Sequence, residues 1–275
     1  MTTIGTVLVT AATGKTGRRV AQRLATGSAD VRAGSRGGAV RFDWEDESTW
    51  EPALRGADAA YVNYFPDLAA PAAPQALRTF GRLAAGAGVR RLVLLSGRGE
   101  PEAVVAEGAL RESGVDLTVV RAAFFAQNFS EGSFHEDVRA GEFAFPAGTT
   151  AEPFVDADDL ADVVVAALTE PGHSGMVHEL TGPRPVTFAE AAREIGRATG
   201  REVRYVPVEA GQYARILEGH GLPAPAAGWL ADLFASLLDG HNATVTDDVE
   251  RILGRAPKDF TEWVKETAAS GTWDA

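Results

Sequence analysis

Through the first half of the chain, short runs of valine, leucine and alanine alternate with stretches whose apolar residues recur every three or four positions. The first run, Val7-Leu8-Val9, carries two β-branched valines and suits a strand buried on both faces. After it, Val20, Leu24 and Ala25 fall on one face of a helix. The same two patterns predict strands over 30–34, 40–42, 57–63, 89–95 and 115–120, and helices over 48–55, 71–86 and 101–113. Ser48 opens the second helix as its capping residue, and Gly86 and Gly88 end the third. Strands and helices alternating in this way, joined by right-handed crossovers, make an α/β protein with a parallel, doubly wound sheet.

Past residue 122 the alternation loosens. An aromatic segment, Phe124-Phe125-Ala126-Gln127-Asn128-Phe129, follows the sixth strand, with a helix expected over 133–140 and a short strand over 143–145. Helices over 157–169 and 187–199, strands over 176–180 and 203–208, and a broken helical stretch over 209–268 complete the pattern. The expected layout is a lobe over 1–122, to which 154–180 returns, and a smaller α+β lobe over 123–153 and 181–275.

Ligands of such a sheet bind beyond the carboxyl ends of its strands. Here those ends are Thr10 to Lys15, Ser35-Arg36, Asn63-Tyr64, Ser96 and Ala122 to Phe125. At the first, Ala12, Thr13, Gly14, Lys15 and Thr16 form a small-residue turn between strand and helix. That is the context of a dinucleotide fingerprint, in which the backbone approaches a pyrophosphate and the helix start attracts its charge. A G-x-x-G-x-x-G spacing would place glycines at 11, 14 and 17; position 11 is Ala11, while Gly14 and Gly17 remain. A phosphate loop ending in Gly14-Lys15-Thr16 is excluded, because it needs glycine where Val9 stands.

Composition narrows the ligand. The 275 residues carry a formal net charge of -12, and no run of Lys or Arg exceeds a pair, which argues against a nucleic-acid surface or an anionic membrane. Without cysteine there are no disulfides, thiol catalysis or thiolate metal sites, and the five histidines show no ligand-like spacing, so no metal is expected. The amino terminus runs straight into the first strand and no apolar run is long enough to span a bilayer, so the expected location is the cytoplasm.

Arg36 carries the specificity signal. In the NAD form of this nucleotide site an acid about 20 residues past the glycines takes the ribose hydroxyls, whereas an arginine favours the phosphate of NADP. The second strand ends Ala33-Gly34-Ser35-Arg36 with no acid, so Ser35 and Arg36 are the phosphate pair, with a solvated surface arginine as the bland alternative. Asp43 and Trp44 follow the third strand, where a carboxylate can accept from the adenine amino group. Ser96 stands where short-chain reductases keep a hydroxyl that touches the substrate. Those enzymes add a Tyr-x-x-x-Lys pair on the next helix, but here it reads Pro101-Glu-Ala-Val-Val-Ala-Glu-Gly-Ala-Leu110, with neither residue. Tyr64 is then the nearest candidate proton donor, or else a packing residue lining the cofactor cleft. Phe124, Phe125 and Phe129 either wall the nicotinamide or belong to the core. Asp156, Asp158 and Asp159 are read as capping carboxylates at a helix start.

Together these segments resemble the NmrA-like group of atypical short-chain dehydrogenases/reductases. The likeness rests on Val9-Thr10-Ala-Ala-Thr13-Gly14-Lys15-Thr16-Gly17, Ala33-Gly-Ser35-Arg36, Arg41-Phe-Asp43-Trp44-Glu45-Asp46, Leu92-Val-Leu-Leu-Ser96, Arg121-Ala-Ala-Phe-Phe125-Ala-Gln-Asn128-Phe129, Phe154-Val-Asp156 and Glu179-Leu-Thr181-Gly182-Pro183. The Phe-Asp-Trp-Glu-Asp and Asn-Phe-Ser-Glu-Gly segments are most similar to the branch of the festuclavine and agroclavine dehydrogenases and their bacterial relatives. Ala11, and Ala122 in place of a proline, depart from the family pattern.

The resemblance implies a Rossmann-type domain binding NADP(H). Thr13 to Thr16 would lie at the pyrophosphate and Ser35-Arg36 at the ribose phosphate, with Ala12, Asp43, Trp44, Asn63, Tyr64 and Ser96 lining the same site. It also implies a carboxyl-terminal substrate lobe, with Phe124, Phe125, Asn128 and Phe129 at the pocket and the active cleft between the lobes. The expected activity is hydride transfer from NADPH to an electrophilic C=N or conjugated small molecule, apolar or cationic, without a tyrosine–lysine relay. The alternatives are a non-catalytic NADP(H)-binding redox sensor and a quinone reductase. Monomer and homodimer both remain open.

Overall fold

The computed structural model describes residues 5–27, 29–132 and 134–274. The residues before Gly5, read above as leading straight into the first strand, and Ser133, read as the start of a helix, lie outside them. In chain order the strands are β1 (Thr6–Val9), β2 (Asp30–Ser35), β3 (Val40–Arg41), β4 (Ala59–Val62), β5 (Arg91–Gly97) and β6 (Asp116–Ala122). They continue as β7 (Glu142–Phe145), β8 (Ala151–Glu152), β9 (Val177–Leu180), β10 (Val186–Thr187) and β11 (Arg204–Pro207). The helices are α1 (Gly17–Thr26), α2 (Trp50–Leu54), α3 (Ala73–Gly86), α4 (Pro101–Arg111), α5 (Asn128–Glu131) and α6 (His135–Ala140). Then follow α7 (Ala157–Thr169), α8 (Phe188–Thr199), α9 (Ala210–Gly219), α10 (Ala224–Leu237), α11 (Asp248–Leu253) and α12 (Phe260–Ala269).

The chain divides into two compact units. The first takes the chain up to Ala122, then Ala157–Leu180 and Asp247–Ala256; the second takes Ala123–Asp156, Thr181–Thr246 and the chain from Pro257. The segment Asp247–Ala256, which carries α11, therefore sits in the first unit, although the sequence pattern assigned it to the other lobe.

In the first unit a seven-stranded parallel sheet runs in the order β3-β2-β1-β4-β5-β6-β9. Its strands alternate sides: Leu8, Ala60, Val62, Leu92 and Leu94 join Leu77, Phe80, Ala103, Ala106 and Leu110 in one core beneath α3 and α4. Val7, Val9, Tyr61 and Val93, equally buried, point to the opposite face, which α1 and α7 cover. Both faces are thus covered, and this is why these strands read as continuous apolar runs.

Two boundaries differ from expectation for local reasons. Val89 and Arg90 precede β5 rather than open it, because the Val89 N–H donates to the Ala84 carbonyl at 3.0 Å as α3 unwinds through Gly88 at φ +82°. The segment 48–55 splits into a 3₁₀ turn over 47–49 and α2, and its cap is Asp46, whose carboxylate accepts from the Ser48 N–H at 3.2 Å. Ser48 is therefore capped and does not itself cap.

The carboxylates at the start of α7 also do more than cap. Asp158 pairs with Arg19 at 3.3 Å and Arg23 at 2.8 Å, tying α1 to α7, and buried Asp159 pairs with Arg255 at 2.6 Å. Asp156 pairs with Lys258 at 3.4 Å within the second unit.

The second unit is built on two small ladders, β7 with β11 in parallel and β8 with β10 antiparallel. Its core is aromatic: Phe129, Phe134, Phe143, Phe145, Phe154, Phe188, Phe260, Trp263 and Trp273 are all buried together. The Trp273 indole N–H finds the Phe129 carbonyl at 2.8 Å, so the polar end of this ring is satisfied inside the core.

Candidate functional site

The turn between β1 and α1 is held from both sides. The Ala12 N–H donates to the Gly34 carbonyl of β2 at 3.0 Å, and the Gly14 N–H donates to the Ala11 carbonyl at 2.8 Å. On the β4 side, the Thr16 hydroxyl accepts from the Tyr61 phenol and the Asn63 amide, each at 3.0 Å. The Thr10 hydroxyl accepts from the Asn63 N–H at 2.8 Å.

Ala11 has φ +49°, so the position where the fingerprint lacks its glycine still adopts the left-handed backbone that glycine favours. Gly17 packs so closely that a Cβ on it would lie 2.2 Å from the Ala11 carbonyl oxygen. This is the close helix–strand contact that the third glycine of the fingerprint provides.

The first turn of α1 has no acidic residue, and among the described residues none accepts from the backbone N–H groups of Thr13 or Thr16. Free donors at a helix start, with no competing carboxylate, suit a pyrophosphate. The chemistry of this turn therefore fits a dinucleotide.

β2 and β4 both pair with β1, so the segments that follow them flank this turn. The Arg36 guanidinium is exposed and lies over the ring of Phe65, 5.8 Å from its centroid. Among the described residues no carboxylate lies within ion-pair distance of Arg36.

Asp43 and Trp44 are both held by hydrogen bonds of the surrounding loops. The Asp43 carboxylate accepts from the Glu45 N–H at 3.1 Å, and its carbonyl accepts from the Trp50 indole at 2.6 Å. The Trp44 indole donates to the Asn63 carbonyl at 2.8 Å, with its ring against Phe42, Trp50, Tyr64 and Phe80. Burial, and then the nearby Glu45 carboxylate, push the Tyr64 phenol above its ordinary pKa, which makes it a weaker proton donor.

At the end of β5 the Ser96 hydroxyl donates to the Glu107 carboxylate at 2.7 Å. Glu107 is only 3% exposed. It is gripped by the Arg121 guanidinium through Nε at 2.9 Å and Nη2 at 2.7 Å. Arg121 also reaches Glu179 at 3.5 Å, and Glu179 pairs with buried Arg98 at 3.1 Å. Two arginines and two carboxylates thus form a neutral chain, and Glu107 is what α4 presents in place of a tyrosine and a lysine.

Beside this chain lies a pair that the sequence did not reveal, Asp67 after β4 and Glu100 after β5. Burial, reinforced by the Asp67 carboxylate, pushes the Glu100 carboxyl up to about 8, so the pair keeps a proton at neutral pH. The carboxyl occupies space left by Gly97, on which a Cβ would lie 2.0 Å from Glu100 Oε1.

In the second unit Phe129 is fully buried and packs on Phe134, Phe143, Phe154, Phe188 and Phe260, which makes it a core residue. Phe124 packs against the same core from a half-buried position, while Phe125 and Asn128 are half-buried. The histidines hold one surprise: His173 Nδ1 and His178 Nε2 are 3.0 Å apart, joined by the loop before β9 and not by helical spacing. Among the described residues no group of three or more ligating side chains forms a metal site, and no helix is long and apolar enough to cross a membrane.

Comparison with known proteins gives consistent matches. The chain is 33% identical over 277 residues to an uncharacterized oxidoreductase, YesF, of Bacillus subtilis (strain 168), covering 97% of this chain and 96% of that one. It is 29% identical to agroclavine dehydrogenase of Claviceps fusiformis, covering 95% and 96% respectively. An Escherichia coli NADPH-dependent quinone oxidoreductase, solved with NADPH, superposes with a TM-score of 0.78 at 22% identity, covering 96% of this chain and 99% of that one. The NmrA-like family model matches residues 104–265. That match spans more than half of the chain, and this protein belongs to the NmrA-like family.

Proposed function

We propose that this protein is an NADPH-dependent reductase that delivers hydride to an already electrophilic carbon, an iminium ion foremost. The turn from Ala12 to Thr16 would hold the pyrophosphate, and Ser35 with Arg36 the 2′-phosphate of the ribose. When bound, NADPH supplies the hydride from C4 of its nicotinamide. On the substrate side the assignment keeps Phe125 and Asn128, which are not sealed into the core. The names of two relatives, an oxidoreductase and an agroclavine dehydrogenase, support redox chemistry on a small molecule.

One observation carries the choice of substrate class. The Ser96 proton is committed to Glu107, and α4 has no tyrosine or lysine to relay another. A cationic C=N accepts hydride without needing a proton, so catalysis would come from orientation of the two reactants. A second reading, reduction of a quinone or enone, is favoured by the Asp67–Glu100 pair, which keeps the proton that such a substrate would require.

The test is NADPH oxidation by the purified protein across cyclic iminium ions, quinones, cationic dyes and enones, with NADH run in parallel. Faster turnover of iminium ions with NADPH is the expected result. Turnover confined to quinones or enones, and lost in Glu100→Gln, moves the assignment to the second reading. Absence of turnover with every class, while NADPH still raises the melting temperature, replaces the reductase with a sensor.

A further inference from the structure

Among the described phenylalanine, tyrosine and tryptophan residues Phe65 is the one that is more than half exposed, at 57%. Every other phenylalanine, tyrosine and tryptophan ring is buried or half-buried, most of them in the two cores. It follows Tyr64 just past β4, and the one charged group set over its ring is the Arg36 guanidinium, 5.8 Å from the centroid. Arg36 in turn has no carboxylate partner among the described residues, although the chain as a whole carries twelve more acidic than basic side chains (38 Asp and Glu against 26 Lys and Arg). An arginine left unneutralised in so acidic a protein, yet lying over a ring, is held ready for an anion from outside. Because β2 and β4 flank β1, both residues stand beside the turn assigned above to the pyrophosphate.

We propose that Phe65 is the positioning residue for nucleotide specificity: its ring carries the Arg36 guanidinium, and so keeps that charge where the 2′-phosphate of NADPH would meet it. The proposal rests on the NADP(H) reading above. A ring face attracts a guanidinium electrostatically, and the attraction strengthens once a bound nucleotide excludes water from it. Without the ring, Arg36 retains its charge but samples many rotamers, and the entropy of ordering it falls on each binding event. NADH has no 2′-phosphate and gains nothing from the ordered arginine. Phe65 should therefore act on the ratio of the two affinities and not on affinity in general.

The experiment measures dissociation constants for NADPH and NADH by isothermal titration calorimetry on the full chain. The variants are Phe65→Leu, Phe65→Tyr, Arg36→Ala and the double variant Phe65→Leu/Arg36→Ala, with melting temperatures recorded for each. Phe65→Leu should weaken NADPH binding about three- to tenfold and leave NADH within twofold, and Phe65→Tyr should restore the ratio. In the Arg36→Ala background the leucine substitution should have no further effect on NADPH. Equal weakening of both nucleotides would mean that the ring stacks on the adenine itself, and overturns the proposal. Unchanged NADPH binding in Phe65→Leu overturns it as well, leaving the cofactor assignment standing. An unmodified protein that does not prefer NADPH to NADH overturns the cofactor assignment, and the role of Phe65 with it.

Discussion

Glu107 is where a single substitution has the most to disturb. It accepts three hydrogen bonds, from Ser96 at 2.7 Å and from Arg121 at 2.9 and 2.7 Å, while only 3% exposed. Breaking a buried ion pair by removing one partner costs about 3–5 kcal/mol, because the other charge is left uncompensated. Arg121 is 21% exposed and keeps Glu179 at 3.5 Å, which places Glu107→Ala at the lower end, about 3 kcal/mol. The orphaned Ser96 hydroxyl adds roughly 1 kcal/mol. For a domain of this size each kcal/mol corresponds to about 2–4 °C, so Glu107→Ala should melt roughly 10 °C lower. Glu107→Gln keeps the volume and one acceptor and should lose about half as much. Calorimetric melting of the three proteins measures this directly. A drop under about 2 °C for the alanine variant would mean that Arg121 is satisfied without Glu107, and Glu107 would not be its main partner. Since the Ser96 proton is already committed, Ser96→Ala should leave turnover of a substrate found in the panel within about threefold, whereas loss of a proton donor costs 10²-fold or more.

Three further outcomes follow from the geometry. Gly17→Ala places a methyl 2.2 Å from the Ala11 carbonyl; it should destabilise the first unit by about 2 kcal/mol or more and abolish nucleotide binding, and retained binding would show that the turn opens freely. Glu100 is held up to about 8 by burial and by Asp67, so its contribution to stability is complete below the ordinary carboxylate range and is lost as pH rises towards 8. Glu100→Gln should therefore gain on the order of 2 kcal/mol at about pH 9 and nothing at about pH 4, as read by urea unfolding at both pH values, and an equal effect at both would exclude a raised carboxyl. Burial holds His173 and His178 below their ordinary pKa, outweighing Glu170 beside His173 and reinforced by His173 beside His178, so the folded state binds protons less readily than the unfolded chain. Stability should fall as pH drops below about 6.5, and His178→Leu should flatten that slope; an unchanged slope would place the titration elsewhere.

Much of the first unit was legible because its signals are local. Val7-Leu8-Val9, Leu92-Val93-Leu94 and Leu117 to Val120 announce strands covered on both faces, and the alternation with helices fixes their parallel order. The glycine turn was legible for the same reason. What escaped depends on contacts distant in sequence. Asp67 meets Glu100 only because β4 and β5 are neighbours in the sheet. Phe65 meets Arg36 only because β4 and β2 both flank β1. The two-residue strands β8 and β10 have no periodicity to detect, and α11 looks like any other short amphipathic helix until its contacts with α7 and β9 assign it. The contact of Trp44 escaped for the same reason: its indole N–H reaches the Asn63 carbonyl after β4, nineteen residues further along the chain.

The first unit is assembled from three separated stretches of chain, and this order has a bearing on biosynthesis. When Ala122 emerges from the ribosome, β6 has no partner on its outer side, because β9 lies more than fifty residues further on. Val119 and Val120, fully buried in the finished protein, then stand on an open, apolar sheet edge, and α7 is not yet present to cover the adjoining face. A nascent chain, or a fragment cut at Ala122, passes through this sticky stage, whereas one extended through Ala256 does not. Truncations meant to isolate the nucleotide-binding half should for this reason aggregate, and exchange of lobes between relatives requires joining at every crossing between the units, not at one boundary.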